Sequence, residues 1–216
     1  MKYYAVKAGR QPGIYETWAD CKAQTLGYSG AAFKSFTDRE AAEKYLQEIT
    51  APAPIKENIP AAYIDGSYSK KNSCYGWGGF IETDGLRHII QGTGNNPKYM
   101  QERNIAGELM GALQVMHKCA ALNIPECNLY FDYAGIEDYI TGKWEAKTPL
   151  ARYYRQTMDL MQDFVTVHFV KVKGHTGITG NEIADYLAKE SVGAQLRKKD
   201  IALLQEFRQE PAPQQT

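Results

Sequence analysis

Three prolines fall within residues 47–60, Gln-Glu-Ile-Thr-Ala-Pro-Ala-Pro-Ile-Lys-Glu-Asn-Ile-Pro. Alternating Ala-Pro can neither continue a helix nor donate hydrogen bonds along a sheet, so this stretch reads as a semi-extended linker. It divides the chain into a short module, residues 1–46, and a long one, residues 61–193. The short module is close to the smallest size that folds unaided. Residues 194–216 read as a tail: a turn or two of amphipathic helix through Ile201, Leu203, Leu204 and Phe207, then a disordered Pro- and Gln-rich end.

Both modules carry alternating patterns. In the first, Lys2 to Lys7 alternates as a strand, Ile14-Tyr15 opens a second, Thr17–Leu26 reads as a helix and Ala31–Phe36 as a third strand. Thr37-Asp38-Arg39-Glu40 has the pattern of a capping box and opens a helix through Ile49, giving β-β-α-β-α. In the second module, a strand runs into Asp65, and glycine-punctuated strands follow around Tyr75–Thr83 and Leu86–Gln91. Ile105, Leu109, Leu113 and Met116 mark a helix over 102–123, with Glu108 at the margin of the apolar stripe. A strand at Asn128–Phe131, helices over 135–144 and 149–163, and a strand at Val165–Val172 complete the pattern. A last helix opens at the capping-box pattern Thr179-Gly180-Asn181-Glu182. Three strands joined by short turns suggest an antiparallel meander, and two later strands separated by helices suggest parallel additions. The expected fold is α/β: a mixed five-stranded sheet with flanking helices.

Four acids stand out by context: Asp65 in Asp-Gly-Ser, Glu108 in an apolar helix, Asp132 after an apolar strand, and Asp185 on the last helix, with His175 on the loop before it. Each alone has a bland reading; Asp-Gly-Ser, for instance, is a common turn. Carboxylates held together at the ends of apolar elements need a positive partner. A pair of Mg²⁺ ions about 4 Å apart would supply it and support phosphodiester cleavage. If the Asp65 and Asp132 strands are parallel neighbours, both acids share the carboxyl edge of the sheet, where α/β proteins tend to bind ligands.

Tyr-Ile-Asp-Gly-Ser, Asn-Ile-Ala-Gly-Glu-Leu, Leu-Tyr-Phe-Asp-Tyr and Lys-Gly-His-Thr-Gly-x-x-Gly-Asn-x-x-Ala-Asp resemble, in this order, the motifs of type 1 ribonucleases H. The resemblance implies a ribonuclease H-like fold. It also implies Mg²⁺-dependent endonucleolytic hydrolysis of the RNA strand of RNA–DNA hybrids, with 5′-phosphate and 3′-hydroxyl products and Mn²⁺ as a substitute ion. Expected tasks are removal of R-loops and RNA primers. By the same resemblance Asp65 bridges two metals, and Asp132 and Asp185 belong to the one that activates water. Glu108 binds the other metal and a ribose 2′-hydroxyl, and His175 assists proton transfer or product release. Two features depart from many relatives: the turn Tyr68-Ser69-Lys70-Lys71-Asn72-Ser73-Cys74, and a segment 136–163 too short for a basic substrate-gripping handle.

The run Tyr-Tyr-Ala-Val-Lys-x-Gly-Arg-x-x-Gly-Ile-Tyr-x-x-Trp-x-x-Cys…Ala-x-Phe-Lys-x-Phe resembles the hybrid-binding, caulimovirus viroplasmin-like domain at the N-terminus of many of these enzymes. It implies that Tyr4, Trp18, Phe33 and Lys34 meet the hybrid, with Trp18 and Phe33 on DNA-strand sugars and Lys34 on phosphate. It also makes double-stranded RNA a second ligand of this module. Many relatives have two successive lysines where this chain has Lys34-Ser35, so weaker and more salt-sensitive binding is expected.

Lysine plus arginine and aspartate plus glutamate both number 25, so any charge that grips a polyanion has to be local. Four cysteines without metal-ligand spacing, no signal-like N-terminus and no long apolar run suggest a reduced, cytoplasmic monomer with no membrane partner. Two other readings compete. One is a hybrid or duplex-RNA binder with an inactive nuclease fold, which the presence of all four acids disfavours. The other is an exonuclease or junction resolvase, which the His-Thr-Gly…Asn…Asp run and the N-terminal module disfavour.

Overall fold

A computed structural model describes residues 2–26, 28, 32–47, 58–83, 85–172 and 179–209. Two compact units divide at the proline-rich stretch, Met1–Pro54 and Ile55–Thr216.

In the smaller unit β1 (Tyr3–Ala8) lies between β2 (Gly13–Tyr15) and β3 (Ala32–Phe36), antiparallel to both. Helix α1 (Trp18–Thr25) starts where Thr17 Oγ1 accepts the Asp20 N–H at 3.1 Å. Helix α2 (Arg39–Gln47) is capped by Asp38, whose Oδ2 accepts the Ala41 N–H at 2.9 Å. The cap is therefore Asp38 and not Thr37, because a shorter carboxylate reach already satisfies the third amide.

The larger unit is a five-stranded sheet in the order β6-β5-β4-β7-β8. Strands β4 (Ala61–Ser69), β5 (Cys74–Thr83) and β6 (Leu86–Gly94) form the antiparallel meander, while β7 (Glu126–Phe131) and β8 (Thr166–Lys171) run parallel to β4. Helix α3 (Asn104–Ala121) and α5 (Pro149–Met161) enclose one core with Ile64, Ile81, Leu129 and Phe131. Helix α6 (Thr179–Ser191) covers the opposite face, where Phe80, Ile183 and Leu187 form a second cluster.

Three expectations are corrected. The helix over 135–144 is a single turn, α4 (Gly135–Asp138), because the chain reverses at Gly142, whose φ is +74°. The helix over 102–123 begins only at Asn104, after a 3₁₀ turn at Met100–Glu102 and Arg103 at φ 52°. The amphipathic turns of the tail are a full helix, α7 (Lys198–Gln209). Its Leu204 is buried beside Leu187, and Phe207 meets the Phe80 ring edge-on at 4.6 Å. The Arg87 guanidinium stacks 3.7 Å from the Phe207 ring centroid and bonds its carbonyl. One apolar stripe too short to stand alone is thus stabilised as a helix by burial against the sheet's second face.

Candidate active site

Strands alternate their side chains, so Ala62 and Ile64 point to the α3 core while Tyr63 and Asp65 point the other way. The β4–β7 ladder ends at Tyr63↔Tyr130, and those two rings stack at 4.5 Å. Two residues further along each strand come Asp65 and Asp132, so parallel pairing delivers the two carboxylates side by side. Asp65 is not at a strand end, however. β4 pairs with β5 as far as Ser69, and Asp-Gly-Ser is strand, not turn. The site is the step left where β7 stops and β4 continues.

Glycine brings in the third acid. A Cβ on Gly107 would lie 2.0 Å from the Gly76 carbonyl oxygen, and one on Gly66 would lie 2.4 Å from the Glu108 nitrogen. The helix therefore lies directly on the strand backbone, and Glu108 is carried into the step. Far from sitting at an exposed margin, Glu108 is 3% exposed, because sheet, α4 and α5 surround α3 on most of its circumference. Gly78 does the same for α6: its Cβ would lie 2.0 Å from the Ala188 nitrogen.

One oxygen each of Asp65, Glu108 and Asp132 lies within 4.8 Å of the others. Burial pushes the Asp65 carboxyl up to about 7, and the charges of Asp132 and Asp185 add to the rise. Glu108 is raised as well, by burial first and then by Asp65 and Asp132. Its Oε2 is buried with no hydrogen-bond partner, whereas Asp65 Oδ1 accepts the Gly66 N–H at 2.6 Å. Buried carboxylates this close share protons unless a cation replaces them. Hard carboxylate oxygens around an orphaned acceptor suit Mg²⁺ or Mn²⁺.

Asp185 is not within the tight trio. It is near enough for its charge to act on Asp65, but its Oδ2 is paired with Lys189 Nζ at 2.6 Å. His175 and its loop, 173–178, lie outside the described residues. Tyr133, Tyr139 and Trp144 escaped the sequence reading. The Trp144 ring meets Tyr133 at 6.0 Å and Tyr139 at 5.7 Å, and Tyr133 lies near enough to Glu102 and Glu108 for their charge to help burial hold its phenol protonated. Their signal was three aromatics in the twelve residues that follow Asp132.

In the smaller unit Trp18 sits 5.7 Å from the Tyr4 ring and 5.5 Å from Phe33. Trp18 and Phe33 remain 46% and 42% exposed, so the three rings form a surface and not a sealed core. Lys34 does not join them: alternation turns it to the other face of β3, where Nζ lies 5.6 Å from the Phe36 ring centroid.

A meander extended by two parallel strands, with carboxylates gathered at the β4/β7 step, defines the ribonuclease H-like class of hydrolases. Comparison with known families agrees. Residues 57–193 match the family described as RNase H, and residues 2–46 match the Ribonuclease H1 N-terminal domain. The chain belongs to the ribonuclease H family, hydrolases that cleave the RNA strand of RNA–DNA hybrids. It is 22% identical to Ribonuclease H1 of Mus musculus over 87% of this chain and 88% of that one. It is 28% identical to Ribonuclease H of Francisella tularensis subsp. novicida over 66% of this chain and 97% of that one. Among solved structures, LC9-RNase H1, a type 1 RNase H with the type 2 active-site motif, shares the fold at TM-score 0.52 and 16% identity, covering 75% of this chain and 95% of that one.

Proposed function

We propose that this chain is a two-metal endonuclease that cuts the RNA strand of RNA–DNA hybrids, leaves 5′-phosphate and 3′-hydroxyl ends, and removes R-loops and RNA primers in the cytoplasm. The observation that carries the reading is the convergence of Asp65, Glu108 and Asp132 around a buried, unpartnered Glu108 oxygen. Asp65, Glu108, Asp132 and Asp185 would hold the ions, Mg²⁺ or Mn²⁺. Bound divalent cations supply Lewis acidity toward water and phosphate and offset the mutual repulsion of the acids.

The chain's own residues do the rest. Gly66 N–H holds Oδ1 of Asp65 in place. Glu108, rigidly held by the helix–strand contact, is assigned to ion binding and to the ribose 2′-hydroxyl that distinguishes RNA from DNA. His175 is assigned proton transfer, on the strength of its motif. Trp18 and Phe33 offer exposed ring faces to the sugars of the DNA strand, and a tether of about a dozen residues keeps the substrate near the site at roughly millimolar effective concentration. Lys34 is assigned to phosphate from the rim of the other face of β3.

The test is incubation of the purified chain with labelled RNA–DNA hybrid, duplex RNA and duplex DNA, in Mg²⁺ or in EDTA. Cutting of the hybrid's RNA strand in Mg²⁺ alone is expected. Cutting in EDTA, or equal cutting of duplex DNA, refutes the proposal. Asp132→Asn is expected to abolish turnover while hybrid binding persists.

A further inference from the structure

The fourth carboxylate is in a different state from the other three. Among the described residues no basic side chain pairs with Asp65, Glu108 or Asp132, and Glu108 Oε2 is buried without a hydrogen-bond partner. Asp185 already has a cation. Lys189 follows it by one helical turn on α6 and holds Oδ2 at 2.6 Å. An acid followed four residues later by a lysine is the favourable order on a helix. The Asp185 side chain is 14% exposed and that of Lys189 40%, so the lysine reaches in from the surface and can swing out again without disturbing the core.

We propose that Lys189 is a placeholder cation: it neutralises Asp185 in the metal-free chain and competes with the divalent ion for the same carboxylate. This rests on the two-metal reading. The consequence is an ordered site. The trio, which no described basic side chain neutralises, takes an ion first. The Asp185-dependent ion enters only when it displaces an ammonium group, and it then has a positive charge still tethered nearby. Lys189 is thus a positioning residue that sets how tightly the second ion is held. A half-exposed ion pair is a small barrier, and its removal tightens that step by roughly two- to fivefold.

The experiment is titration of the full chain with Mn²⁺, without nucleic acid, counting free ion by electron paramagnetic resonance. Lys189→Gln is expected to tighten the weaker binding step roughly two- to fivefold and leave the tighter step unchanged. Lys189→Arg, which restores the charge, is expected to return the wild-type isotherm. In an Asp185→Asn background Lys189→Gln is expected to change nothing, which separates competition for that carboxylate from a general effect of helix charge. A wild-type isotherm that Lys189→Gln leaves unmoved, or weakens, overturns the placeholder role alone. A wild-type chain that binds no Mn²⁺, or binds it undiminished with Asp65→Asn and Asp132→Asn combined, overturns the metal site on which the role depends.

Discussion

Without divalent ions the larger unit should lose stability as pH rises, and Asp65 should account for most of the loss. Its carboxyl, ordinarily near 3.8, is pushed up to about 7 by burial and by neighbouring acids. Between those limits the folded chain binds a proton that the unfolded chain has released. Stability is therefore fully present below the unfolded value and is lost as pH rises through the folded one. A rise of about three units at 1.36 kcal/mol each amounts to roughly 4 kcal/mol, if Glu108 keeps its proton throughout. About 2.6 kcal/mol of this is lost between pH 5 and pH 8, so with a urea dependence of about 2 kcal/mol per molar the midpoint should fall by about 1.3 M over that range. The assay is urea unfolding in EDTA followed by tryptophan fluorescence, in a Trp18→Phe background so that Trp77 and Trp144 report on the larger unit. Glu190 and Asp200, both lowered by arginine partners, lose their contribution only at more acid pH and do not mask the trend. Asp65→Asn should remove most of the slope, and saturating Mg²⁺ should raise the midpoint most at pH 8. A flat profile, or a slope that survives Asp65→Asn, refutes the argument that burial and mutual repulsion strain the site.

Three further outcomes follow from the packing. Gly107→Ala places a methyl where the Gly76 carbonyl lies and should cost about 3 kcal/mol, read as a lowered urea midpoint, with weaker Mn²⁺ binding as Glu108 is displaced. Leu204→Ala should cost about 3 kcal/mol, since this side chain is buried in the second cluster; an unchanged midpoint would return α7 to the status of a loose tail. Trp18→Ala combined with Phe33→Ala should weaken hybrid affinity by at least tenfold with little change in circular dichroism, because both rings are nearly half exposed. Unchanged affinity would make those rings packing residues only.

The acids differ in how legible they were. Asp65 and Asp132 could be read from the chain, because strand alternation and parallel pairing are local rules that carry two residues past the end of a ladder. Glu108 could be named but not placed. One helix stripe predicts one buried face, and only the approach of β4, α4 and α5 around α3 buries the remainder. Lys34 is the opposite case: its charge was plain in the sequence, yet alternation along β3 separates it from Phe33 and sets it over Phe36. The helix at α7 was underestimated for a related reason, since a short amphipathic stripe has little stability until Phe80, Leu187 and Arg87 give it a surface.

By itself the sequence determined two modules, because Ala-Pro repeats exclude helix and sheet, and it determined the order of the strands, because periodicity is written residue by residue. It also supplied the identity of the acids. Tertiary structure alone decided their state. Burial, the backbone contacts at Gly66, Gly78 and Gly107, and the pairing of Asp185 with Lys189 depend on distances between segments far apart in the chain. Those distances separate a close trio of carboxylates, Asp65, Glu108 and Asp132, from a fourth that already holds a cation.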